Sequence, residues 1–196
     1  MYVFLRKLAN VLMSLLFKIT VNGKENIIDG AYILTPNHRS NFDPIIILKG
    51  LPVNIKIFFM AKDGLFKFKP LGAILRHLGA FPVSRGKGDT QAVDFAVECV
   101  KKGRPLVIFP EGKRSETGEL LKLKSGAVVV AKRTKADIIP VGIKYEGKLR
   151  LRKKITLSYG EPIKNEEILK DTQSPAAIIH ATKLLTQEMQ FLLKKG

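Results

Sequence analysis

A chain of 196 residues with 45% hydrophobic and 26% charged residues is long enough for one domain with a substantial core, and its apolar content excludes a disordered chain. Its 34 basic against 17 acidic residues leave a net charge of +17, which calls for an anionic partner: nucleic acid, an anionic membrane surface or an acidic carrier protein. A single cysteine, Cys99, excludes an internal disulfide, and histidines at 38, 77 and 180 offer no zinc-ligand spacing, so no metal site is expected.

In chain order, residues 1–18 predict an amphipathic helix. Val3, Phe4, Leu5, Leu8, Val11, Leu12, Met13, Leu15, Leu16 and Phe17 are apolar, with Arg6, Lys7, Asn10, Ser14 and Lys18 interspersed. The longest uncharged run, Leu8 to Phe17, is about half of what a spanning helix requires, and no small-residue cleavage site follows it. The pattern suits a helix lying in the plane of a membrane with basic residues at its edge. An ordinary core helix is the alternative. Residues 19–36 read as a strand, a turn at Asn22-Gly23 and a second strand.

The second strand runs into Asn37-His38-Arg39-Ser40-Asn41-Phe42-Asp43, followed by Pro44 and the apolar Ile45–Leu48. Asp43 before Pro44 reads as an N-cap with proline at the first helical position. His38 therefore ends a strand, Asp43 begins a helix, and a loop this short can bring the two within hydrogen-bond reach. A carboxylate holding one imidazole nitrogen leaves the other as a general base. No Gly-x-Ser-x-Gly elbow supplies a serine, so the activated hydroxyl should belong to the substrate. Capping alone would also explain Asp43.

Ile55–Met60 reads as a strand that delivers Lys62. The stretch Leu65-Phe66-Lys67-Phe68-Lys69-Pro70-Leu71 alternates rings with ammonium groups, which suits lipid headgroups or stacking on single-stranded nucleic acid. A helix from Leu71 to Leu78 precedes a strand that ends at Arg85, and Gly86-Lys87-Gly88 lacks the pattern of a phosphate loop. Asp89–Lys102 reads as a helix packed on a sheet and stopped by Gly103. The strand Leu106–Phe109 delivers Glu111, Gly112, Lys113, Arg114 and Ser115. Lys113, Arg114 and the glycine backbone carry donors for a phosphate, while Glu111 either accepts from a substrate hydroxyl or orients Arg114. A local salt bridge shaping the turn is the alternative for Glu111 and Arg114.

Leu123 to about Lys135 then reads as a helix, Ile138–Ile143 as a core strand, 144–154 as a basic hairpin region and Ile155–Tyr159 as a closing strand. Residues 165–170 and 174–195 read as helices, the last with Ala177, Ile178, Ala181, Leu184, Leu185, Met189, Leu192 and Leu193 in its apolar stripe. Alternating strands and helices without an internal repeat predict a single α/β domain over 1–196, a central mixed sheet with helices on both faces. His38, Lys62, Arg85, Glu111 and Arg114 all follow apolar strands, where open α/β sheets gather their ligands.

Residues 37–43, NHRSNFD, and 109–115, FPEGKRS, together resemble the two hallmark motifs of the glycerophospholipid acyltransferase family, N-H-x-x-x-x-D and F-P-E-G-T-R-S, in the same order. Only Lys113 departs from the second, where threonine is commonest. Gly79–Arg85 is similar to a looser third motif, Lys124–Ala127 to a short K-x-G-A stretch, and Ile139-Pro140-Val141 to a weak last one. The resemblance covers roughly residues 20 to 160. It implies catalysis by His38 and Asp43, and an acceptor phosphate held by Arg85 and the Glu111–Arg114 turn. Lys62 or backbone amides would hold the oxyanion.

The implied reaction carries an acyl group from acyl-coenzyme A or acyl carrier protein to the 2-hydroxyl of 1-acylglycerol 3-phosphate (lysophosphatidic acid), giving phosphatidic acid without a cofactor. Glycerol 3-phosphate or another lysophospholipid would satisfy the same motifs. The expected location is monotopic on the cytoplasmic face of an anionic membrane. A non-catalytic basic module binding RNA or membranes would account for +17 but not for Asp43 and Glu111 beside an anion site, so no nucleic-acid partner is expected. Alanine at His38 or Asp43 is expected to leave the fold intact and abolish turnover.

Overall fold

The central strands are buried on both faces, and that requirement orders the chain. The computed structural model describes residues 1–83, 89–147, 151–168 and 175–195; Arg85, residues 148–150 and residues 169–174 lie outside the described residues. The strands are β1 Lys18–Asn22, β2 Tyr32–Pro36, β3 Phe58–Lys62, β4 Ala80–Val83, β5 Leu106–Val107, β6 Asp137–Tyr145 and β7 Lys154–Tyr159. They form one sheet in the order β1-β7-β6-β2-β5-β3-β4. From β6 to β4 all pairs are parallel; β7 is antiparallel to β6, and β1 is parallel to β7. The sheet is mixed, as expected.

The helices are α1 Tyr2–Leu16, α2 Asp43–Gly50, α3 Lys69–His77, α4 Asp89–Lys101, α5 Gly126–Thr134, α6 Asn165–Ile168 and α7 Pro175–Lys195. Alternation along the strands sends neighbouring side chains to opposite layers. Tyr32 and Leu34 of β2, with Ile139, Val141 and Ile143 of β6, join Met13, Phe17, Ile46, Ile47 and Leu78 under α1, α2 and α3. Ile33 and Ile138 face the other way, onto Val97, Val100, Val128, Leu185 and Met189 of α4, α5 and α7. Gly142 is needed where α7 crosses β6, since a Cβ there would come to 2.9 Å from Leu192 Cβ.

The two strands read around Asn22-Gly23 are not sheet neighbours. Gly23 turns the chain with φ +72°, but β1 runs beside β7, in register Lys18 with Lys154, and β7 and β6 separate it from β2. Pairing register is a long-range property that the local turn does not contain.

Arg6 is the second departure. The sequence pattern puts it at the polar edge of the N-terminal helix, whereas it is completely buried. Its guanidinium donates to the carbonyls of Leu48 (2.7 Å), Leu51 (3.2 Å) and Ile55 (3.2 Å) and to the Tyr2 hydroxyl (2.9 Å). Leu48 and Leu51 belong to the C-terminal end of α2, where carbonyls lack helical partners and the helix dipole is negative. A planar fork of five N–H donors lets one residue serve several of them. The opposite face of α1 leaves Val3, Phe4, Leu8, Val11, Leu12 and Leu15 exposed. Among the described residues no helix is long and apolar enough to cross a membrane.

Arg6→Ala strands these carbonyls in the core and is expected to cost about 3 kcal/mol. Urea denaturation of the lipid-free protein measures this; a midpoint equal to wild type would show that the guanidinium does not hold α1 to α2.

Candidate active site

The site begins where the β2–β6 ladder stops, at Pro36 opposite Val141. Asn37 continues it with a side chain: its Nδ2 donates to the Ile143 carbonyl (3.0 Å), and its Oδ1 accepts from the Ile143 amide (2.7 Å). Only a primary amide offers both polarities in that plane, so asparagine fixes the direction in which the loop leaves the sheet. His38 follows, half-buried, with its ring against Phe109 at 4.2 Å between centroids.

Asp43 is the first residue of α2 and makes no N-cap; Phe42 holds that position without a capping side chain. The Asp43 carboxylate instead turns back into the loop. Its Oδ2 accepts from His38 Nδ1 (2.8 Å) and from the amides of Arg39 and Ser40 (2.7 Å each), and its Oδ1 accepts from the Tyr145 hydroxyl. A carboxylate only accepts, so His38 Nδ1 carries a proton, and in the neutral ring Nε2 presents its lone pair. Asp43 is fully buried. Alanine there would therefore leave two loop amides and a phenol without their acceptor, and the expectation of an intact Asp43→Ala fold gives way to one of destabilisation.

The second loop, following β5, grips His38 by its backbone. Glu111 Oε1 accepts from the His38 amide (2.5 Å) and Oε2 from the Leu121 amide (2.8 Å), while the Ser115 amide donates to the His38 carbonyl (2.7 Å). Glu111 is buried, and its carboxyl titrates above the ordinary range because of desolvation, opposed by the two amide donors. It neither orients Arg114 nor faces outward. Arg114 lies exposed and donates to Asn41 Oδ1 (3.0 Å), which ties the tips of the two loops together. Gly112 has φ +71°, a conformation that favours glycine, and exposes its backbone beside the exposed Lys113. Lys62 closes β3, its backbone paired with Val83. Arg85 lies outside the described residues.

Three contributors escaped the sequence reading: Asn37, Ser115 as a backbone donor, and Tyr145. Arg39 also acquires a place, its guanidinium over the Tyr145 ring at 5.4 Å and donating to the Gly147 carbonyl (3.1 Å).

Fold and site define an α/β domain with a histidine–aspartate centre at the carboxyl ends of parallel strands, flanked by basic side chains. The Acyltransferase family model matches residues 18–144. The 1-acyl-sn-glycerol-3-phosphate acyltransferase of Bacillus subtilis is 31% identical, over 97% of this chain and 97% of its own length. The enzyme of the same name from Streptococcus pneumoniae is 32% identical over 72% of this chain, which spans 53% of that relative. The crystal structure of the 1-acyl-sn-glycerophosphate acyltransferase PlsC of Thermotoga maritima has the same fold, with a TM-score of 0.75 at 23% identity, over 98% of this chain and 78% of that one. This chain belongs to the acyltransferase family.

Glu111→Gln keeps the shape but sets an amide NH2 against a backbone N–H. The expected result is a loss of about 2 kcal/mol, read as a lower thermal midpoint, together with reduced turnover. Unchanged stability would remove Glu111 from its role between the loops.

Proposed function

We propose that this protein transfers a fatty acyl group from an acyl thioester to the 2-hydroxyl of 1-acylglycerol 3-phosphate, yielding phosphatidic acid. The observation that carries the reading is the His38 imidazole, held through Nδ1 by a buried carboxylate with Nε2 left as the base. The names of the curated relatives support the acceptor. Nε2 takes the proton of the acceptor hydroxyl as its oxygen attacks the thioester carbonyl. The tetrahedral intermediate then expels the thiolate, which recovers the proton from the imidazolium. No acyl-enzyme forms, so no serine or cysteine nucleophile is required.

Lys113, Arg114 and the Gly112 backbone would receive the acceptor phosphate, joined by Arg85 on the family resemblance. Lys62 or backbone amides would serve the oxyanion. Glu111 acts on His38 through the backbone instead of touching the acceptor. The net charge of +17 suits either acyl-coenzyme A or acyl carrier protein as donor.

The acceptor lives in a bilayer, and one side of the molecule suits that surface. α1 and α3 pack on the same layer of the core. Outward from it stand the α1 stripe and, beside Lys67, Lys69 and Arg76, the exposed Leu65, Phe68, Leu71 and Ile74. Apolar side chains at acyl-chain depth with cations at headgroup level would hold the enzyme on the cytoplasmic leaflet as a monotopic protein.

Thiol release from each donor, with 1-acylglycerol 3-phosphate or glycerol 3-phosphate added, tests the chemistry. Wild type should depend on the lysolipid, and His38→Ala should lose about a thousandfold or more in turnover with its thermal midpoint near wild type. Full activity in His38→Ala would end the mechanism. For the surface, the combined substitution Phe4→Ser, Leu8→Ser and Leu12→Ser should weaken co-sedimentation with phosphatidylglycerol vesicles at least about a hundredfold; unaltered binding would move the membrane contact elsewhere.

A further inference from the structure

We propose that Tyr145 is a positioning residue of the reaction: by donating its hydroxyl to Asp43 Oδ1 it sets the orientation of the carboxylate and how strongly that carboxylate draws on the His38 imidazole. The proposal rests on the reading of His38 as general base. Asp43 distributes its acceptors unevenly. Oδ2 takes the imidazole and two loop amides, while among the described residues Oδ1 takes Tyr145 alone. Without the phenol, Oδ1 would face the core with no donor, and rotation about the Cβ–Cγ bond would loosen the acceptor of His38 Nδ1.

The strand register makes this contact. Asn37 grips Ile143, and two residues on, on the same face of β6, Tyr145 points into the layer that contains α2. Tyr145 is buried, so a phenylalanine would satisfy packing and only the hydroxyl needs a reason. Burial, then the charge of Asp43 and the hydrogen bond to it, drive the phenol far above its ordinary titration, while the Ser40 hydroxyl and Arg39 oppose them; the hydroxyl remains a donor throughout the working pH range. Among the described residues, the charged or titratable side chains with contacts around the pair are Arg39 on the outer face of the Tyr145 ring, Glu111 in the loop after β5, and Arg114 one step out on Asn41.

A donor on Oδ1 withdraws negative charge from the carboxylate, and so tempers its pull on an imidazolium. In Tyr145→Phe the acid limb of the kcat/KM profile should therefore move up by about one pH unit. kcat should fall on the order of tenfold with little change in KM for the acceptor. Replacing Tyr145 with 3-fluorotyrosine, whose phenol is a stronger donor of similar shape, should move the same limb down. Opposite shifts from the two replacements are the signature; a packing role would lower the thermal midpoint and leave the profile in place. A profile unmoved in the fluorotyrosine protein overturns the proposal even if Tyr145→Phe does not fold. His38→Ala runs beside them. If it retains activity, the base reading and this proposal fall together; if it is inactive while both Tyr145 replacements keep the wild-type profile, Tyr145 alone is refuted.

Discussion

Asp43 has no exposed surface, and a buried carboxylate persists only where donors replace the water it lost. Two come from the backbone of its own loop, one from the imidazole, and one from a tyrosine 102 residues away in sequence. The loop path, the approach of β6 and the rotamer of His38 are all conditions for neutralising that charge. The groups that make the charge tolerable are the groups that aim the His38 ring. Stability and readiness for chemistry are here one requirement.

The loop after β5 divides its labour by direction. Glu111 and the Ser115 amide point inward and fix both backbone groups of His38, while Lys113 and Arg114 point to solvent. A carboxylate open to solvent would offset the charge of its neighbours; one engaged by two amides is partly neutralised, which leaves the field outside the loop to the exposed Lys113 and Arg114.

Local pattern made much of this legible. Runs such as Ile138–Ile143, the Ala177–Leu192 stripe and the paired motifs at 37–43 and 109–115 report elements and their order, because burial on one face repeats with the period of the element. Pattern could not give what depends on pairing across the chain. Tyr145 reads as the edge of a basic hairpin until the Asn37–Ile143 register brings it to Asp43. Arg6 reads as a surface cation because composition carries charge but not direction; on α1 it projects opposite to Phe4 and Leu8, onto the open end of α2. Asp43 before Pro44 reads as a cap, since the sequence contains the helix start but not the competing donors of the loop behind it.

Those last two residues act on the same element from opposite ends. α2 has eight residues, too few to hold a helix by its own hydrogen bonds. An aspartate begins it, where the dipole is positive, and the Arg6 guanidinium closes it, where the dipole is negative. Tyr159 holds it between, donating to the Ile47 carbonyl (2.6 Å). Because Arg6 belongs to α1, the helix with the exposed apolar stripe is fixed to one end of α2 and the His38 partner to the other. At about 1.5 Å per residue the connection is only about 12 Å long. A short helix clamped at both ends transmits position with little slack, so the position of His38 relative to the exposed apolar stripe of α1 follows from the fold and not from the flexibility of a linker.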